Sequence, residues 1–520
     1  MPRLPSPDSR SFDSDFDKSA SAKAKAGQGA SGIFAKSRII DPPDYNRWLV
    51  PPASVAIHLC IGSVYAWSLF NPPLMKIRGV AASAADDWTQ NQVVWIFSVA
   101  IVFLGLSAAF AGKWLERVGP RLVGAVSACC WGGGFLLGAL GIQLHQLWLL
   151  YLGYGVIGGC GLGLGYVSPV STLIKWFPDR RGMAAGLAIM GFGGGAMVGA
   201  PLGVALMDRF RTATSVGVAE TFVAMGCIYF VVMMFGAVTV RVPPPAPVEE
   251  NAGIPSDGPR AEGLTAASAI RTGAFWCVWV VLFTNVAAGI GVLGQASPMI
   301  QEMFGRTPHA AAGFVGLLSL FNLVGRFAWS SLSDRLGRKK TYAIYLGLGM
   351  ALYALVPTTK MLGTVGLFVA CTCVILSMYG GGFATVPAYL RDLFGTKEVG
   401  AIHGRLLTAW STAALVGPSL VTYVREAQIA RGVAKSDAYS ITMYGLVVLL
   451  AIGFVANLRV RLALRHRGLP SSRIAPRTAA GSAPTTTSIA HLAATWVVVA
   501  IPLGWGVFEV AKKSAALFAR

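Results

Sequence analysis

A chain of 520 residues that is 54% hydrophobic and only 13% charged, with mean hydropathy +0.59, has too few polar side chains to coat a water-soluble globule. A bilayer is its natural solvent. The net charge of +20 points to nucleic acid only if the basic residues cluster on one surface, whereas here they follow the loops between apolar runs, which excludes that partner.

Residues 1–46 are rich in Ser, Ala, Lys and Asp and read as a disordered cytoplasmic tail, with too many acids for a transit peptide. Twelve apolar segments follow, at about 49–74, 91–112, 121–142, 147–174, 182–206, 220–240, 275–300, 311–333, 341–357, 362–390, 399–423 and 439–458. The Pro-rich stretch 242–272 separates them into two groups of six, so the expected units are an N-terminal bundle at 47–241 and a C-terminal bundle at 273–460. A basic linker at 461–488 then leads to a thirteenth apolar run in an extra segment, 489–520, whose task the sequence does not reveal. The eight cysteines lie within apolar runs, without CxxC spacing or companion histidines, so neither disulfide nor metal site is expected, and no cofactor.

With the tail in the cytoplasm, inner loops hold 22 Lys and Arg and outer loops nine, which orients the chain in a bacterial inner membrane. Arg326 is then the only basic residue deep in a span, about four residues past its midpoint. Sliding the sequence against itself by about 218 residues superimposes Glu116, Arg117 and Gly119 on Asp334, Arg335 and Gly337. The same offset places Pro169 on Pro387 and Gly186 on Gly404. The halves are therefore parallel repeats, an arrangement that puts a substrate site at their interface near the midplane. The expected fold is all-α, two parallel six-helix bundles plus one C-terminal helix.

A cation in a span normally faces a cavity, and no Asp or Glu lies in the interior of any of the twelve spans to pair with Arg326. A small organic anion would supply that counter-ion, and a guanidinium matches a carboxylate bidentately. The alternative is an arginine that snorkels to the cytoplasmic edge. Asn322, one turn earlier, is a candidate hydrogen-bond partner. His58, near the middle of the first span, is the remaining candidate for a proton site, with ordinary packing as its alternative.

The acid-Arg-x-Gly loop of each half resembles the signature of the major facilitator superfamily. Within it, residues 47–460 resemble the oxalate/formate antiporter family through Arg47-Trp48, Gly62-Ser-Val-Tyr65-Ala-Trp67, Trp176-Phe-Pro-Asp-Arg-Arg-Gly182, Leu320-Phe-Asn322-Leu-Val-Gly-Arg326 and Asp392-Leu-Phe-Gly395. The resemblance implies a gating role for Glu116, Arg117, Asp334 and Arg335, beside simple anchoring at the headgroups. It implies that Arg326 binds a substrate carboxylate, and that Tyr65, Trp67, Tyr166, Tyr379 and Phe383 occupy cavity positions, with helix packing as the alternative for each. A lysine that binds a second carboxylate in that family is replaced here by Trp410, which favours a monocarboxylate such as formate, lactate or pyruvate over oxalate. Proton-coupled monocarboxylate carriers have an aspartate before the arginine; here it is Gly325. The expected function is anion exchange or facilitated movement by alternating access, in a monomer. A proton-coupled symporter is the first alternative and a non-transporting receptor the second. An enzyme is not expected, because the spans hold no carboxylate pair, nucleophile-base pair or metal-ligand cluster.

Overall fold

The computed structural model describes residues 36–40, 45–243, 263–395, 397–465 and 488–514. Most of the expected tail and most of each expected linker lie outside these residues. Of the tail, Lys36–Ile39 forms a short 3-10 helix, and Ile40 bridges to Val242 at the foot of the first half. The rest of the described residues are mostly helical, joined by short turns.

The first half comprises α1 (Val50–Gly62, continued as a 3-10 helix over Ser63–Leu69), α2 (Gln90–Val118), α3 (Pro120–Gln143), α4 (Gly159–Trp176, entered through a π-helical stretch at Tyr151–Gly158), α5 (Arg181–Phe210) and α6 (Val218–Thr239). The second half comprises α7 (Gly273–Phe304), α8 (Pro308–Leu336), α9 (Arg338–Met361), α10 (Val365–Phe394), the pair α11 (Val399–Leu406) and α12 (Thr408–Ala430), and α13 (Tyr439–Arg465). A last helix, α14, spans Ile489–Ser514.

Twelve helices among the described residues are long and apolar enough to cross a membrane. Eleven of them match expected spans and the twelfth is the C-terminal helix. The expected eleventh span is present as the pair α11 and α12, broken at Leu407, and is less apolar than the others. The chain is a multi-pass membrane protein whose two six-span halves are followed by one further span.

Local chemistry places the ends. Thr89 caps α2 in a reciprocal capping box with Gln92, and Thr272 and Thr307 cap α7 and α8. Between α2 and α3, and again between α8 and α9, the chain reverses through a left-handed glycine, Gly119 at φ 87° and Gly337 at φ 84°. Only glycine adopts that conformation without strain, which explains why both repeats keep it.

The halves meet along two seams, α5 against α8 and α2 against α11 and α12. The most apolar window of α1 is 94% buried, so that helix runs through the interior, whereas that of α14 is 17% buried and lies on the outside.

Candidate anion site between the halves

Arg326 sits on α8 and is 1% exposed. Room for it comes from two glycines. A Cβ on Gly193 would lie 2.9 Å from its Nε, and one on Gly380 would lie 3.0 Å from its Cγ. Its Nε donates to Asn322 Oδ1 at 3.1 Å, and its Nη1 donates to the carbonyl of Ile189 on α5 at 3.4 Å. The guanidinium carbon lies 5.6 Å from the ring centre of Phe192 on α5 and 5.2 Å from that of Phe383 on α10. Its Nη2 is buried with no hydrogen-bond partner. The guanidinium points between the halves and makes no ion pair among the described residues.

Aromatic side chains from both halves enclose this cation. Trp410 on α12 packs against Tyr166 on α4 at 5.3 Å, Phe192 at 5.3 Å and Phe383 at 4.9 Å between ring centres. The hydroxyls of Tyr65 and Tyr379 meet across the halves at 3.3 Å. His58 on α1 lies 5.4 Å from the Tyr166 ring, and its Nδ1 donates to the Ser54 carbonyl at 3.0 Å, which leaves Nε2 as an acceptor in the neutral ring. Tyr166 Oη, Trp410 Nε1 and His58 Nε2 are buried without partners, like Arg326 Nη2. Buried polar atoms are nearly always satisfied, so four orphans around one box mark a place where a polar ligand completes the hydrogen bonding. Two of the four, on Arg326 and Trp410, are donors only, and that bias suits an anion.

The structure thus gathers Arg326, Asn322, Tyr65, Tyr166, Tyr379, Phe383, Trp410 and His58 in one place. Trp67 is elsewhere. Its ring packs at a tilt on Tyr154, 4.4 Å between centres, and lies near Phe70 and Phe222 inside the first half, because the 3-10 turn after Gly62 directs it away from Tyr65. Its expected place in the site is corrected to core packing.

Sequence reasoning missed Phe192 and His403. Phe192 touches Arg326, Tyr65, His58, Tyr166 and Trp410, yet sits in a glycine-rich run with no periodic signal. His403 on α11 is 2% exposed and lies 5.9 Å from Tyr166. Its spacing of seven from Trp410, two helical turns, was the available clue.

At the basic end of the bundle the halves are tied by charge. Asp334 on α8 accepts from the backbone N–H of Gly182 at 2.8 Å and Met183 at 2.9 Å, the first turn of α5. It also pairs with Arg338 at 2.5 Å. Asp392 on α10 pairs with Arg181 of the other half at 2.8 Å and with Arg338 at 3.3 Å. Arg391 donates to the Ile174 carbonyl across the seam at 2.7 Å. Glu116 pairs with Lys175 at 2.9 Å and lies 3.2 Å from where a Cβ on Gly400 would be, beside the first turn of α11. Arg117 and Arg335, expected in the gate, are exposed instead, because each points off the outer face of its helix end; the buried cation that links Asp334 to Asp392 is Arg338.

A family model described as the Major Facilitator Superfamily matches residues 54–418. The uncharacterized MFS-type transporter YhjX of Escherichia coli is 31% identical over 368 residues, covering 70% of this chain and 85% of that protein. The oxalate:formate antiporter of Oxalobacter formigenes is 26% identical over 402 residues, 76% of this chain and 88% of that one. The apicoplast pyruvate carrier 1 of Toxoplasma gondii is 24% identical, covering 67% and 78%. Among solved structures, the transporter FucP in its outward conformation superimposes with TM-score 0.57 at 15% identity, over 80% of this chain and 99% of that one, a likeness of fold alone.

Proposed function

The chain belongs to the major facilitator superfamily, and we propose that it carries small monocarboxylates across a bacterial inner membrane by alternating access, as an exchanger or facilitator, with its N-terminus in the cytoplasm. The observation that carries this reading is the buried Arg326 guanidinium with an unpartnered Nη2. A buried charge without a counter-ion costs several kcal/mol, and a bound carboxylate offsets that cost while accepting two N–H bonds. Trp410 stands beside it with a neutral donor where a second cation would be needed for a dianion. A monoanion leaves the box neutral; a dianion leaves it one charge in excess. The relatives named for oxalate, formate and pyruvate support the substrate class.

The test is counterflow of labelled formate, lactate, pyruvate and oxalate in proteoliposomes. Wild type is expected to exchange monocarboxylates in preference to oxalate, and Arg326→Gln to lose at least about a hundredfold in apparent affinity, the scale of breaking a buried charge pair. Equal affinity in that variant refutes the reading, and a protein that binds these acids without counterflow is a receptor.

One observation favours a second reading, symport with a proton. Tyr166 lies between two buried histidines, His58 from the first half and His403 from the second, at 5.4 and 5.9 Å. If these groups carry the coupling proton, an imposed proton gradient drives uptake, and in His58→Ala the gradient no longer stimulates uptake above that variant's own counterflow rate. Uptake indifferent to the gradient leaves exchange as the mechanism.

A further inference from the structure

The helix α14 has no counterpart in the twelve-span repeat, and its position is specific. It lies in the groove where α5 of the first half crosses α8 of the second, and also touches α1. At its N-terminal end the Trp496 indole donates to the Trp48 carbonyl of the first half at 3.2 Å. At its C-terminal end the Ser514 hydroxyl donates to the Gly313 carbonyl of the second half at 3.0 Å. Glycines let it approach closely: a Cβ on Gly313 would lie 2.3 Å from the Lys513 carbonyl oxygen, and one on Gly506 would lie 3.0 Å from Met197 Cγ.

Between these ends, Leu503 is a wedge. A Cβ on Gly194 would meet Leu503 Cδ2 at 2.8 Å and Leu323 Cδ1 at 2.7 Å, so the leucine tip rests where the two halves touch. One residue away, Gly193 is the glycine that makes room for Arg326. Val499 packs with Val55, Ala56 and Leu59 of the first half, and Val510 with Leu323 of the second. The remaining surface is apolar and outward, with Ile501 67% and Phe508 64% exposed.

We propose that α14 is a brace across the moving seam, holding the conformation closed at the basic end and setting the rate at which the halves separate. Alternating access in repeat-built carriers is largely rigid-body rocking of one half against the other. A helix tied at one end to one half and at its other end to the other half cannot follow both. Rocking must release Trp496 or Ser514 and withdraw Leu503 from the seam. Contacts present in one conformer and absent in the other shift the population between them.

Hydrogen–deuterium exchange of the full chain in nanodiscs tests this without any substrate, so its outcome is independent of the carboxylate assignment. The readout is the first turns of α5 and α11, whose amides are shielded only while the basic end is closed. The triple variant Trp496→Phe, Leu503→Ala, Ser514→Ala is expected to exchange there at least about tenfold faster, because only the share of the two lost hydrogen bonds and the leucine packing that differs between the two conformations shifts the opening. Leu503→Ala alone keeps both anchors and gives a smaller increase in the same peptides, should the triple variant not fold. Unchanged exchange in those turns in the folded variants, even with a lower melting temperature, reduces α14 to a passive packing helix and overturns the proposal.

Discussion

At the scale of single residues, Arg326 and Trp410, both packed on Phe192 and Phe383, are the pair that would set which anions the proposed site accepts. On that reading the guanidinium binds one carboxylate, while the Trp410 indole N–H is donor-only and uncharged. Trp410→Lys is therefore expected to shift the proposed monoanion site towards a dianion site. The ammonium removes the excess negative charge that oxalate brings, and it loses the ring that packs on Tyr166, Phe192 and Phe383. Inhibition of lactate counterflow by oxalate is expected to strengthen about tenfold in this variant, while formate inhibition changes little or weakens. Oxalate remaining as poor an inhibitor as in wild type places the second pole somewhere other than Trp410. Arg326 itself was legible from the sequence, because a lone cation in an apolar run without an acid is a physical anomaly that needs only counting. Trp67 was misplaced because two aromatic residues spaced by two share a face in a strand, diverge in a regular helix, and diverge differently in the 3-10 turn that the chain adopts after Gly62.

At the scale of helices, each acid of the repeated loops sits against the first turn of a seam helix in the other half, Asp334 at α5 and Glu116 at α11. Helix N-termini expose free N–H groups and a partial positive charge, so a carboxylate there both accepts hydrogen bonds and satisfies the dipole. Asp334 is an N-cap supplied from the opposite half, and it exists only while the basic end is closed. Asp334→Ala removes the acceptor and the charge together, and is expected to cost the closed state about 1 kcal/mol or more, roughly a fivefold shift towards opening. Asp334→Asn keeps an acceptor and is expected to shift it less. Protease or label accessibility of the α5 first turn, compared across the two variants, reads the order directly; an Asn variant as open as the Ala variant assigns the effect to charge alone. The loop's repetition and its acid were visible in the sequence. Arg338 as the working cation was not, since which of three neighbouring basic residues turns inward depends on the helix phase set by Gly337.

At the scale of the whole molecule, the offset of 218 residues that aligned Gly186 with Gly404 has a steric cause. A Cβ on Gly186 would lie 1.9 Å from Ser330 Oγ and 2.7 Å from the Arg326 carbonyl oxygen; one on Gly404 would lie 2.0 Å from the Ala108 carbonyl oxygen. These are the two seams, α5 on α8 and α11 on α2, related by the repeat. The twofold plan was therefore readable in glycine positions, whereas the break at Leu407 and the placement of α14 across a seam were not, because neither repeats and each depends on contacts far apart in sequence. The obstruction at Gly404 is backbone and cannot rotate away, so Gly404→Val must force the second seam apart; at Gly186 a serine side chain can yield part of the distance before the Arg326 carbonyl intervenes. Rigid halves close both seams or neither. Gly404→Val alone is thus expected to hold the basic end open, lose counterflow at least about tenfold, and raise deuterium exchange in the first turn of α5, at the seam that was not altered. Gly186→Ala is expected to act in the same direction and more weakly. Exchange confined to α11 in the Gly404 variant would mean that the halves bend locally rather than move as units.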